Sequence, residues 1–574
     1  MGVSSAVFET AGKRTEHYVP GVYSRQNNVT TPSGVSVGNL CILGESQGGA
    51  SFELLEFSSL ADAKNSLVSG DLLNAVAYAF NGSREYAPQK VYAMRVGAST
   101  QSSLTMQNGE TDLLKIKSWD YGSHTNQLKM WVKSGSADGS KVITTVFKDE
   151  KLTTDDIIQA SLNIVYVGDG TAPTVSISKD AMTLTHTVDE QSESVSISFA
   201  EYSTLATLAA RINDTGNFSA NVLDTDTQAE SAYLDTVSST SVEEAVTFYS
   251  NFHAFVEELE ANPYVGEVEI LNESVRTMPN VTTGYAYFTG GTTAVAGVSD
   301  YVTALEQLET QDIQIIATSS TDNSVHNLIV NHCSQMSSTV NRKERTCLLG
   351  GSTGESDDEA IEKALGFNSE LCSYVVDSAI CTNPLSGSTE TVSGAIVAVM
   401  LAGMESGMSP NESLTNKELN VLGFSKTRTI PNMEKLIKKG ILVCNADPED
   451  MTRFVCIRAL TTYQKSDLIY NERSMVRESF VMNRELRNYY KPLIGRTGTL
   501  RTSDFINALK GIAEKWAAKG YIVPNDSNED VWDISVKIDG DKVYITYSRY
   551  LTAPINFVFI TAINHVYTST TEVA

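Results

Sequence analysis

The most constraining stretch of this chain is its end. From Pro554 the sequence runs Ile555-Asn-Phe-Val-Phe-Ile-Thr-Ala-Ile-Asn-His-Val-Tyr567, apolar at nearly every residue. A strand of that kind must be covered on both faces. What precedes it supplies one helix and one hairpin. Arg501-Thr-Ser-Asp opens the helix with good N-cap chemistry, and Phe505, Leu509, Ile512 and Trp516 recur at helical spacing, giving one apolar face. Lys519 suits its last turn and Gly520 the left-handed cap beyond it. Trp532, Ile534, Val536 and Ile538 then alternate with polar residues, and Asp539-Gly540 turns the chain into a second strand, Val543 to Tyr547. A helix and a hairpin are a thin cover for so apolar a closing strand.

That succession carries a resemblance. Asn483 to Arg496 ending in Ile-Gly-Arg, a helix closing on Lys519-Gly-Tyr-Ile, the strand Asp-Ile-Ser-Val-Lys-Ile538, and Gly540-Asp-Lys-Val-Tyr-Ile545 before the closing strand are similar to the C-terminal domain of contractile tail sheath proteins of long-tailed, myovirus-type bacteriophages. Earlier pieces resemble the same family: Pro20-Gly-Val-Tyr23, Gly290-Gly-Thr292 followed by Asp300-Tyr-x-x-Ala-Leu-x-x-Leu-Glu309, and the small-residue helix Ser393 to Gly407 leading to Leu422-Gly-Phe. Together they bracket most of the chain except residues 98–284.

Composition sets the outer bounds. A chain of 574 residues is too long for one typical domain, so two to four are expected. No window approaches eighteen uninterrupted apolar residues, so no membrane insertion is expected. The first ten residues lack a basic start followed by an apolar core, so no signal peptide is expected. Seven cysteines at irregular spacing fit buried, reduced thiols. His326, His332 and Cys333 do not converge on one helical face, and no metal or cofactor is expected. The net charge of −26 is uneven: residues 421–574 hold 21 Lys and Arg against 17 Asp and Glu, so the acidity belongs to the first 420. An acidic body argues against direct nucleic-acid binding.

Read in order, the expected architecture is α+β and multidomain, with an α/β layered middle interrupted by a β-rich insertion and a compact α+β C-terminal domain. Gly38 to Leu43 is a buried strand entering a glycine turn. Helices follow at Ser59–Val68 and Leu72–Phe80, then a strand at Lys90–Val96. Gly44-Glu-Ser-Gln-Gly-Gly49 lacks the Lys-Ser/Thr of a phosphate loop and reads as a turn. Residues 98–284, rich in Ser, Thr and Asp, give short alternating segments such as Leu128–Val132, Lys141–Phe147 and Val195–Phe199, with a helical piece at Ser241–Leu259. The α/β alternation resumes from Tyr287 with helices at Ser299–Glu309, Asn323–Val340 and Asp357–Gly366 and strands at Ile313–Ala317, Thr346–Leu349 and Ser373–Val376, implying a mostly parallel sheet. The expected boundaries are a linking arm at 1–20, a discontinuous α/β domain at 21–97 and 285–425, the insertion at 98–284, and the closing domain at 426–574.

Two stretches are candidate assembly sites. Between Leu468 and Lys491, Arg473, Arg477, Arg484, Arg487 and Lys491 fall within about an 80° sector of a helical wheel, around Phe480. Such a stripe suits docking on an acidic protein surface, and equally a surface helix held by local ion pairs. Arg477 and Arg484 are both expected at the surface. At the two ends, Val7 and Phe8 lie in an apolar segment without a local partner, followed by a polar tether to Pro20, while Phe557, Phe559, Ile563 and Val566 lie in the closing strand. Each end lacks what the other offers, so arms from adjacent subunits adding strands to this domain's sheet would answer both.

The resemblance implies a structural subunit rather than an enzyme. It would be a helical homopolymer of stacked hexameric rings around a tail tube, contracting to drive the tube through the host envelope. The tail tube would face the arginine stripe, baseplate and tail terminator proteins would cap the polymer, and residues 98–284 would sit outside. The particle would be a virion tail made in the host cytoplasm, with a non-phage contractile injection particle as the alternative. A reading from another class is an α/β hydrolase using Asp312, His326 and Ser393. Against it, Ser393 lacks a Gly-x-Ser-x-Gly elbow and His326 begins a helix.

Overall fold

Alternation of short β-branched and aliphatic runs with amphipathic helices builds one twisted sheet at the centre of the molecule. The structure, a computed structural model, describes residues 6–10, 13–17, 38–495 and 501–565. Eight strands lie in the order Phe454–Arg458, Ile441–Ala446, Cys372–Val375, Thr346–Gly350, Ile315–Thr318, Leu40–Gly44, Val91–Arg95, Leu54–Phe57. The inner pairings are all parallel, and the two edge strands are antiparallel to their neighbours. The sheet is therefore mostly parallel, as the alternation implies. It also extends past residue 425, because Ile441–Ala446 and Phe454–Arg458 pair into it.

Strand side chains alternate between two cores. Leu40, Ile42, Ile315 and Ala317 face one side, against the helices Leu60–Leu67, Asp71–Phe80 and Gly394–Gly407. Cys41, Leu43 and Ile316 face the other, against Val298–Leu308, Asn323–Met336, Asp357–Phe367 and Ile430–Ile437. The helix Gly394–Gly407 is buried on almost every side, which its lack of a polar face requires. A Cβ on Gly403 would overlap the Ala79 carbonyl, so glycine there sets how closely the two helices approach. All seven cysteines are buried free thiols, and burial pushes the Cys41 thiol up to about 12.

The insertion leaves the sheet after Arg95 and returns at the Val298 helix, and it carries two apolar cores. One joins Met106, Ile116, Met130, Val132 and Ile143 to the helix Asn251–Glu260. The other joins strands between Ala160 and Ser241 to the helix Leu205–Asn213, an element not among those expected for the insertion.

The C-terminal part begins with the helix Arg473–Tyr490 and continues through Thr502–Ala518 to the hairpin Trp532–Asp539/Lys542–Ser548. Arg501 N–H donates to Asp504 Oδ2 at 2.7 Å, closing the first turn of the second helix, and Gly540 takes φ +61° in the hairpin turn. Two expectations fail here. The described part of the closing run forms no strand: residues 552–565 are neither helix nor strand. The N-terminal segment has a local partner, because Ala6–Thr10 pairs antiparallel with Lys13–His17. His17 to Tyr23 beyond His17, Arg496, Val566 and Tyr567 lie outside the described residues.

Candidate assembly site: the arginine helix and the terminal arm

The helix Arg473–Tyr490 joins two cores. Val476 belongs to the sheet core and Phe480 packs against it, while Val481 and Met482 belong to a second core with Leu509, Ile512, Ala513 and Trp516 of the next helix. Because this helix lies between apolar layers, its cations turn inward to acids from distant sequence. Arg473 donates through Nε and Nη2 to the two oxygens of Glu405 at 2.7 and 2.8 Å, and through Nη1 to the Cys347 carbonyl at 2.9 Å. Arg477 reaches the Glu405 carbonyl with Nη2 at 2.9 Å and its carboxylate with Nε at 3.4 Å. Burial alone would raise the Glu405 carboxyl, but the two guanidiniums outweigh it and hold the group below its ordinary value. Burial lowers Arg477, only partly offset by Glu405, whereas for Arg473 the same carboxylate prevails and raises it.

The second half of the helix repeats the device. Glu344 takes Arg484 Nε at 3.2 Å and Arg487 Nη1 and Nη2 at 2.6 Å each. Glu485, on the other flank, accepts from Trp516 Nε1 at 2.6 Å and Lys519 Nζ at 2.7 Å, locking the two helices together. Glu478 is buried and lies near Arg549 and the Thr552 backbone. Burial pushes its carboxyl up to about 8, against the opposing pull of those two groups.

The expectation of an exposed stripe is therefore corrected. Arg473 and Arg477 are buried, Arg484 and Arg487 are tied to Glu344, Phe480 is half-buried, and within the stripe only Lys491 is exposed. Reversing Arg477 and Arg484 to Glu would place carboxylates against Glu405 and Glu344 and would not leave the subunit folded. The wheel arithmetic grouped the arginines correctly; the acids that claim them lie 68 and 140 residues away in sequence. One signal was available: Glu405 is a lone acid in an otherwise apolar helix, and a buried carboxylate requires a cation.

After Leu551 the chain runs out over the surface. Asn556 donates to Glu472 Oε1 at 3.0 Å, and the Arg458 guanidinium stands 5.2 Å from the Phe557 ring centre while also binding Glu472 at 2.7 Å. Phe557 is still 67% exposed, and beyond that root the apolar side chains face solvent, Phe559 at 93% and Ile563 at 77%. The strands before it are also open, since among the described residues Ile522–Val523 pairs with Tyr550–Leu551 alone and the hairpin has no third strand.

Among the described residues no hydrogen bond joins Asp312, His326 and Ser393, and Ser393 caps the helix Gly394–Gly407. His326 is buried with Nε2 2.8 Å from the Ser320 carbonyl, while Asp312 accepts from Gln314 at 2.7 Å. His332 faces the Arg345 guanidinium at 2.6 Å, a poor neighbour for a metal ion. The glycine turn after Leu43 spends its Gly49 N–H on Asp120 at 2.8 Å, so a carboxylate of the protein occupies what would be an anion's place.

Comparison with known proteins settles the kinship. The tail sheath protein of Bacillus phage SP01 is 25% identical over 96% of this chain and 95% of its own length. The tail sheath protein of Staphylococcus phage Twort is 24% identical over 82% and 85%. This chain is a homologue of bacteriophage tail sheath proteins. No family model matches it. The crystal structure of a sheath tail protein from Desulfitobacterium hafniense shares the sheath fold at a TM-score of 0.53 and 13% identity, covering 93% of this chain and all of that one. This chain thus shares that structure's overall mixed α/β fold.

Proposed function

We propose that this chain is the subunit of a contractile tail sheath, polymerising helically as stacked hexameric rings around a tail tube and shortening to drive that tube through the host envelope. The observation that carries the reading is the apolar run Ile555 to Ile563, exposed beside strand edges that are open among the described residues. A donated strand buries such a run and completes such an edge at once. The N-terminal hairpin, with Val7 and Phe8 in its first strand, would open or dock as a unit on the neighbouring closing domain. Main-chain pairing would keep subunits joined while the bodies reorient between two lattice packings.

In this reading residues 98–284 form the outer layer, and the tail tube, baseplate and tail terminator proteins are the partners of a virion tail assembled in the host cytoplasm. The buried arginine helix would act in the subunit rather than on the tube. Lys491 and the neighbouring exposed Tyr489 and Ile494 remain the part of that region available to the tube. Electron microscopy of purified protein tests the proposal, since a sheath subunit gives tubes or striated polymers. Deleting residues 2–16, or everything after Thr561, should leave a subunit with native circular dichroism that forms no tubes. Normal tubes from the C-terminal truncation would overturn the strand-donation account.

A further inference from the structure

The insertion is strongly acidic, with 27 Asp and Glu against 10 Lys and Arg in residues 98–284. In such a segment lysines find carboxylates easily, as Lys117 does with Glu267 and Lys179 with Glu273. One sheet departs from this. Its strands Glu150–Thr153, Lys141–Phe147, Lys129–Ser134 and Ala286–Tyr287 lie side by side, and the registers Lys151↔Val146, Val146↔Lys129 and Lys129↔Tyr287 put Lys151, Lys129 and Tyr287 in one row of the outer face. Trp131 and Lys133 continue that face along their strand, while Met130 and Val132 point into the core. Lys133 Nζ stands 3.9 Å from the Trp131 ring centre, and Lys129 Nζ stands 5.1 Å from Tyr285 and 5.3 Å from Tyr287, which is 56% exposed. Among the described residues Lys129, Lys133 and Lys151 form no ion pair with an acid; Lys129 and Lys133 neighbour rings and a tyrosine hydroxyl, and Lys151 is exposed.

The same core carries the opposite charge elsewhere. The helix Asn251–Glu260 buries Phe252, Phe255, Val256 and Leu259 against Met130 and Val132, so its exposed Glu258 and Glu260 stand across the core from the lysine face. Glu269, exposed on the strand Val265–Ile270 beside that helix, adds a third carboxylate, although Lys115 lies opposite it in register and Lys117 is close enough to act on it. Cations over aromatic rings on one side and acids on the other make a surface and its complement that cannot meet within one molecule.

We propose that the Lys129–Lys133–Lys151 face binds the Glu258–Glu260–Glu269 ridge of a second copy of this chain, linking the insertions of adjacent subunits head to tail. A heterologous contact of this kind propagates into rings or helices rather than closing as a dimer, so the inference rests on the self-assembling reading above and adds a second lattice contact, independent of the terminal arms. Charge complementarity favours a copy of this acidic chain, and the aromatic rings give the contact a desolvated centre.

The test uses full-length protein and electron microscopy with light scattering across a salt series. If wild-type protein forms no tubes, the sheath reading fails before this one is tested. Given wild-type tubes, the lysine-face variant Lys129→Glu/Lys133→Glu/Lys151→Glu and the ridge variant Glu258→Lys/Glu260→Lys/Glu269→Lys should each keep native circular dichroism and raise the assembly concentration about tenfold or more. Mixing the two, or combining all six changes in one chain, should restore assembly, because every face then meets its opposite. Unchanged assembly by the single-face variants overturns the proposal. So does loss without restoration, which would give the lysine face to another acidic partner, such as an anionic glycan.

Discussion

The arginine helix can be tested at one carboxylate. Glu405 holds two buried guanidiniums, and its side chain and that of Arg473 are each about 1% exposed, so water cannot replace a lost partner. Glu405→Gln keeps the shape and one acceptor but leaves two cations uncompensated. Breaking a buried ion pair from one side costs about 3–5 kcal/mol, and we expect a loss of that size in urea unfolding of the monomeric subunit. The arginines should not be equivalent. Removing Arg473 leaves Glu405 with the weaker, less well-aligned Arg477, whose buried Nη1 has no hydrogen-bond partner among the described residues. Removing Arg477 leaves a neutral, doubly hydrogen-bonded Arg473–Glu405 pair. Arg477→Leu should therefore cost at most about 1 kcal/mol, since apolar replacement of a buried charge is often neutral. The pH dependence has a fixed sign. Glu405 is held below its ordinary value in the folded state, so its contribution is present above the unfolded carboxylate range and is lost as pH falls through the folded value. Glu405→Gln should flatten that acid limb. The helix carries residues of both cores, so tryptophan fluorescence and far-ultraviolet dichroism should separate in the variant more than in the wild type. Equal costs for Glu405→Gln and Arg477→Leu, or a Glu405→Gln loss below about 1 kcal/mol, would refute the ion-pair argument.

Glu478 gives the opposite pH sign. Its folded value near 8 lies above the ordinary carboxylate range, so stability is fullest in acid and declines as pH rises towards 8. Glu478→Gln should stabilise the protein by on the order of 2 kcal/mol at about pH 8.5 and change little at about pH 5, measured by urea midpoints. Two glycines separate packing from propensity. Gly403→Ala would push a methyl into the Ala79 carbonyl and should cost about 1–3 kcal/mol in thermal unfolding. Gly511→Ala, in the helix Thr502–Ala518 with nothing near its Cβ, should stabilise by about 0.5–1 kcal/mol in the same assay.

Local chemistry was legible in the sequence. The Asp504 cap, the Asp539-Gly540 turn and the strand Lys141–Phe147 each follow from neighbours a few residues apart, and each is found where that chemistry puts it. The alternation of strands and helices gave the parallel sheet for the same reason. What stayed hidden depends on distant partners. The strands Ile441–Ala446 and Phe454–Arg458 join the sheet through Cys372–Val375, a pairing no local pattern announces. The closing run reads as a strand because its composition demands cover, yet composition cannot say which chain supplies it.

The two cationic stripes show where the limit lies. Arg473 to Arg487 and Lys129 to Lys133 are both periodic cations beside aromatic rings, and a wheel or an alternation count treats them alike. Their fates differ because of acids elsewhere. A guanidinium taken out of water must meet a carboxylate, and the arginine helix finds Glu405 and Glu344 on elements packed against it. The lysine strand has its core on one face only, so its ammonium groups stay near water and need no internal acid. Burial therefore decides the sense of a charge pattern. A cation stripe on an element with apolar residues on two sides seeks its acid inside the chain, and one on a single-faced strand is left to find it in another molecule.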